Sequence, residues 1–188
     1  MGLSDVLFGR KKLKGPKDDR LFALTTAAVT LETECGLKTA GASAVTFKPL
    51  SSGDFVRVDN DVEALIKSAA LSSGAEVERK SDTYGFEWLI VRDPHLEDQV
   101  TSVHAVASEL SAQGFGAQLL AAAFRFEGGE HPVYWIYGFK LGTFWPFVPL
   151  DGEKRDNATE LELKAKLEGE LPIEQDLTRW LALFDAPI

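Results

Sequence analysis

The 188-residue chain has a single cysteine, Cys35, and only three histidines. One cysteine rules out an internal disulfide and fits a reducing compartment. Cys35 lies on the apolar stripe of an expected helix, where such a thiol behaves as a small hydrophobe rather than a nucleophile. The histidines, His95, His104 and His131, show no familiar zinc spacing, so neither a metal nor a cofactor is expected. Asp93, His95, Glu97 and Asp98 gather at a helix start, where acidic residues favour the dipole. His104 sits beside the Val100 and Val103 face and reads as half-buried. Basic residues are also short, 20 against 29 acidic, for a net charge of −9. Residues 1–17 carry five basic groups against Asp5, or +4, which leaves 15 basic and 28 acidic residues, or −13, on the remainder. An acidic body excludes nucleic acid as the main partner, because phosphate binding needs clustered Lys and Arg.

Catalytic signatures are missing too. Gly41-Ala-Ser43-Ala-Val45 departs from a nucleophile elbow at Val45, and it precedes a strand rather than joining strand to helix. Gly114-Phe-Gly116 follows a helix and enters a strand, the reverse of a dinucleotide loop. There is no P-loop, and no carboxylate pair stands out among the 29 acidic side chains. No catalytic residue is assigned, and the chain reads more as a binding protein than an enzyme.

A membrane span is the remaining class to test, because Val133–Leu150 is 18 residues long and strongly apolar. It contains Lys140, two glycines and two prolines, with its aromatics at the centre rather than the ends. A mid-helix Lys alone costs about 2.5–3.5 kcal/mol on insertion scales. No signal peptide is recognisable before the basic run. The expectation is a cytoplasmic protein, peripheral at the inner membrane if its arm engages lipid.

What the chain does have is aromatic residues in one place. Seven of the fifteen residues from Val133 to Phe147 are aromatic, against 10% overall. Val133, Trp135, Tyr137, Phe139 and Leu141 alternate as a strand with both faces covered. A turn at Leu141-Gly142-Thr143 leads to a shorter strand, which Pro146 marks as an edge.

The rest of the chain supplies the elements around it. Asp18-Asp19 cap a helix from Arg20 to Cys35, which Gly36 ends. Strands follow at Ala44–Pro49 and Asp54–Val58, then a helix from Asn60 to Ser73 ended by Gly74. A hairpin spans Glu76–Asp82 and Phe86–Arg92 around Thr83-Tyr84-Gly85. Pro94 opens a helix with Leu96, Val100, Val103, Ala107 and Leu110 inward. Ala117–Phe126 precedes the aromatic strands. Helices are then expected from Ala158 to Leu171, capped by Asn157 with Glu160, and from Pro172 with Ile173, Leu177, Trp180, Leu181 and Phe184 as its stripe. The order α-ββ-α-ββ-α-βββ-αα favours an α+β fold, a largely antiparallel sheet with helices mainly on one face. Residues 1–17 form a basic arm, and 18–188 a single domain.

Two surfaces are candidates for function. Leu3, Val6 and Leu7, followed by Arg10, Lys11, Lys12 and Lys14, resemble an amphipathic start with a polybasic flank, a device for touching an anionic membrane. Val6 stands where myristoylation wants Ser or Thr. Trp135, Tyr137, Phe144 and Trp145 are candidates to line a groove for a partner helix or an apolar ligand, if helices leave that face open.

Four stretches carry a resemblance: MGLSDVLFGR, LFALTTAAVTLETECGLKTAGASAVTFKP, YWIYGFKLGTFWPFVP and DLTRWLALF. They are similar to the PspA-associated protein PspAB family of actinobacteria and archaea, nearly end to end. The resemblance implies a non-enzymatic accessory of a PspA-type (phage-shock) envelope-stress response, with a PspA-like coiled-coil protein as partner. It supplies no catalytic residues. The alternative is a small-molecule or lipid-binding domain, or an enzyme of unassigned activity, with a pocket against the aromatic strands.

Overall fold

The first long strand of the chain becomes the centre of the sheet. In this computed structural model residues 18–48, 75–112 and 114–188 are described, together with Ala64 and Ser68. Strand β1, Lys38–Phe47, lies between β3, Glu87–Arg92, and β4, Leu119–Glu127. Outside these come β2, Glu76–Ser81, on one side and β5, Val133–Gly138, then β6, Thr143–Phe147, on the other. The order is β2-β3-β1-β4-β5-β6, and every pairing is antiparallel. For β2–β3, β4–β5 and β5–β6 the antiparallel pairing follows from short hairpins, such as the turns at Thr83-Tyr84-Gly85 and Glu127–Glu130, whereas β1 is inserted between β3 and β4 by longer connections. The fold is α+β, as expected.

The helical start is tighter than its spacing predicts. Asp18–Phe22 is a 3-10 turn, leading into α1, Ala23–Thr26, and α2, Ala28–Thr33, which meet at Ala27. Thr25 and Thr33 turn their hydroxyls back onto the Phe22 and Val29 carbonyls, the competition with helix geometry that threonine brings. Leu21, Leu24 and Leu31 are nonetheless fully buried, so the apolar stripe does its packing. Helix α3, Leu96–Ala112, buries Leu96, Val100, Val103, Ala107 and Leu110 and packs on β1, β3 and β4. The strand expected at Ala44–Pro49 begins earlier, at Lys38. The strand at Asp54–Val58 and the helix at Asn60–Ser73 lie outside the described residues.

Beyond the sheet the structure departs from expectation. A small hairpin, β7 Pro149–Leu150 and β8 Lys154–Arg155, precedes α4, Asn157–Leu167. Asp156, not Asn157, caps α4, accepting the backbone N–H groups of Ala158 and Thr159. The last segment is not a helix. It holds one 3-10 turn, Leu177–Arg179, and is otherwise irregular. Its backbone is used by the sheet instead: Phe144 N–H donates to Pro172 O at 2.8 Å, and Glu174 N–H donates to Phe144 O at 2.9 Å. That pairing covers the edge strand β6, and a local helical stripe yields to it.

One close approach fixes where β4 ends. A Cβ on Gly128 falls 1.9 Å from the Gly36 carbonyl oxygen, so only glycine lets the chain pass there.

Candidate functional site

Register decides which side chains meet. Thr46 is the partner of Trp88 on β3 and of Ala121 on β4, and Ala121 is the partner of Gly138 on β5. Side chains on paired positions point to the same face, as do those two apart along a strand. Trp145 pairs with Ile136, two residues from Gly138, so it joins this row. The row therefore reads Trp88, Thr46, Ala121, Gly138, with Trp145 leaning in from β6. Large rings at both ends and three small residues between them leave a trough.

The trough is walled by two loops. At the β2–β3 turn, Asp82 accepts the N–H groups of Tyr84 and Phe86, each at 2.9 Å, and the Trp88 indole N–H at 2.9 Å. Opposite, the C-terminal segment is held by the Trp145 indole, which donates to Leu181 O at 3.0 Å. Thr83 donates to Asp185 at 2.7 Å, joining the two walls, while Tyr134 OH donates to Ile188 O at 3.0 Å. The Phe184 ring meets Phe147 edge-on, with centroids 5.1 Å apart. The result is an apolar groove of about 570 Å³, with Leu120, Leu141, Leu181 and Leu183 adding to its lining. Tyr84 and Leu181 are exposed on its lip, at 65% and 62%.

Two polar groups stand out in this apolar setting. Thr46 is 2% exposed, and its hydroxyl has no hydrogen-bond partner among the described residues. Lys140 is exposed at the opening and forms no ion pair among the described residues. Arg179, also at the groove, pairs with Asp176 at 3.2 Å.

Of the four aromatics expected to line a groove, the structure brings only Trp145 to this one. Trp135, Tyr137 and Phe144 lie on the other face of the sheet and are fully buried. Tyr137 packs on Phe139 and Phe144, with centroids 5.6 and 4.7 Å apart. Thr46, Trp88, Tyr84 and the Leu181–Asp185 wall were not expected as site residues, because only register and the path of the irregular C-terminal segment bring them together. Leu3, Val6, Leu7, Arg10, Lys11, Lys12 and Lys14 lie outside the described residues.

The remaining titratable groups serve structure. Burial pushes the Cys35 thiol pKa up, the opposite of an activated thiolate. Asp93, His95 and Asp98 come close enough to converge on one ion, but they are a helix start in which Asp93 accepts the His95 N–H. Glu160, 1% exposed, accepts both the Val148 N–H and the Arg155 Nε–H, each at 2.9 Å. Burial raises the Glu160 pKa against the pull of Arg155. This pair fastens α4 to the β7–β8 hairpin. His104 stacks obliquely on Phe22, with centroids 5.0 Å apart.

A family model described as PspA associated protein B, PspAB, matches residues 1–188. The chain belongs to the PspAB family. That name implies association with PspA and agrees with an accessory role. Comparisons with curated proteins and with solved structures find no match. Among the described residues, no helix is long and apolar enough to cross a membrane.

Proposed function

We propose that this PspAB protein is a non-enzymatic accessory of a PspA-type envelope-stress response, one that binds its partner through apolar contacts. The cytoplasm, at the inner face of the membrane, is its proposed place of action. The observation that carries the reading is the groove. A sheet that keeps about 570 Å³ of apolar space, with Tyr84 and Leu181 exposed on its lip, supports a role in holding a partner. Tyrosine and leucine on a groove edge suit the apolar face of a partner helix, the usual helix-in-groove arrangement. A PspA-like coiled coil offers such faces at every heptad.

The test is capture of a purified PspA-like coiled coil by the immobilised full chain. Replacing Tyr84→Ser and Leu181→Ser together is expected to weaken capture at least about tenfold, the equivalent of 1.4 kcal/mol. No capture by the unaltered chain removes the reading. Equal capture by the double variant moves the contact away from the groove.

A further inference from the structure

We propose that the floor of the groove is a binding site for a small amphipathic anion, a molecule with an apolar body, one hydrogen-bonding group near its buried end and one acidic group. This goes beyond the partner reading and does not depend on it.

The shape comes first. Thr46, Ala121 and Gly138 sit side by side on three adjacent strands, between the rings of Trp88 and Trp145. Pockets that take small molecules fall at roughly 300–1,000 Å³, are mostly apolar and aromatic, and carry few polar groups. This groove, at about 570 Å³, has that size and that lining.

The polar groups then define the ligand. A buried hydroxyl without a partner costs about 1–3 kcal/mol in a folded protein. Thr46 is such a group, and it lines the groove. A ligand carrying one donor or acceptor near the floor relieves that cost, since a hydroxyl can both donate and accept. At the opening the charges are unequal in availability. Asp82 already accepts three hydrogen bonds from its own turn, and Asp185 accepts one from Thr83. Arg179 is paired with Asp176. Of the two cations at the groove, Lys140 is the one that forms no ion pair among the described residues, and its charge is free to attract a negative group on the ligand's outer end, while Asp82 and Asp185 are held in the walls by their own hydrogen bonds.

Two fluorescent probes separate these contributions: 2-anilinonaphthalene-6-sulfonate, an apolar ring system with its N–H and its sulfonate at opposite ends, and N-phenyl-2-naphthylamine, its neutral counterpart. Both carry one N–H for Thr46 to accept. Each is titrated onto the purified full chain without any partner. The expected result is saturable one-to-one binding of both. Ala121→Leu, in mid-trough, should weaken both at least about tenfold, and Thr46→Val should weaken both about three- to tenfold, the range for one hydrogen bond. Lys140→Ala should weaken the sulfonate probe and leave the neutral one unchanged. If Ala121→Leu lowers the thermal midpoint, Thr46→Val and the exposed Lys140→Ala decide alone. Absence of saturable binding, binding indifferent to the floor variants, or equal weakening of both probes by Lys140→Ala overturns the proposal. Because no partner is present, a failed coiled-coil capture leaves this result intact, and the reverse holds too.

Discussion

At Gly138 a single methyl group is enough to collide with the neighbouring Trp145 ring. A Cβ on Gly138 falls 2.9 Å from Cζ3 of the Trp145 ring and 3.1 Å from its Cη2. Trp145 has little freedom to give way, being 2% exposed and tied through its indole N–H to Leu181 O. Gly138→Ala is therefore an overpacking change rather than an entropy gain, and such changes cost about 1–3 kcal/mol. The loss should appear as a lower urea midpoint, with an altered near-ultraviolet tryptophan signal as the ring is pushed off its seat. Stability equal to the unaltered chain would show that the ring is not held. The same crowding explains the groove, since the glycine that admits Trp145 also leaves the trough beside it open.

Among the elements, α4 is the clearest case of a helix set by its N-cap residue. Asp156 accepts two backbone N–H groups at 3.1 Å and the Thr159 hydroxyl at 2.6 Å. The Thr159 hydroxyl and N–H together hold the Asp156 carboxyl below its ordinary pKa. A depressed pKa means the charged form is favoured by folding. The contribution is therefore present above the unfolded value, about 3.9, and is lost as pH falls through the lower, folded one. Asp156→Ala should cost about 0.5–2 kcal/mol at neutral pH. By urea unfolding, the gap between variant and parent should narrow as pH drops below about 4; a gap independent of pH would contradict the charge-based cap. Asp156 also shows what was legible in the sequence. Capping was expected one residue along, at Asn157, because both residue types cap well and only the backbone tells them apart. The β2–β3 hairpin and α3 were readable because local turn chemistry and a clean apolar stripe agree with the tertiary fold. The C-terminal segment was not, because Pro172 and Glu174 bond to Phe144 across the sheet edge, a contact that no helical stripe announces. The trough of Thr46, Ala121 and Gly138 was hidden for a related reason. Its members are ordinary strand residues until register sets them in one row.

At the scale of the whole molecule the governing feature is uneven charge. Residues 1–17 carry +4 and the remainder −13, so the two parts respond oppositely to an anionic surface. Near such a surface each Lys or Arg is worth about 1 kcal/mol, within a Debye length of about 8 Å at physiological salt. The acidic body is repelled over the same range, so the proposed membrane contact has to be made by the arm, with the body held away. Leu3, Val6 and Leu7 would supply the apolar part, and Arg10, Lys11, Lys12 and Lys14 the charge. One acyl-chain-sized apolar contact is weak by itself, so the charge should decide the outcome. In sedimentation with phosphatidylserine-containing vesicles, the chain should pellet at low salt and be released as salt rises. Changing Arg10, Lys11, Lys12 and Lys14 to Ala removes four of the five basic residues and reverses the arm to a net charge of zero. That variant should stay in the supernatant, as the parent should with neutral vesicles. Pelleting that ignores those four substitutions would reject the arm as the contact, and with it the peripheral placement drawn from charge.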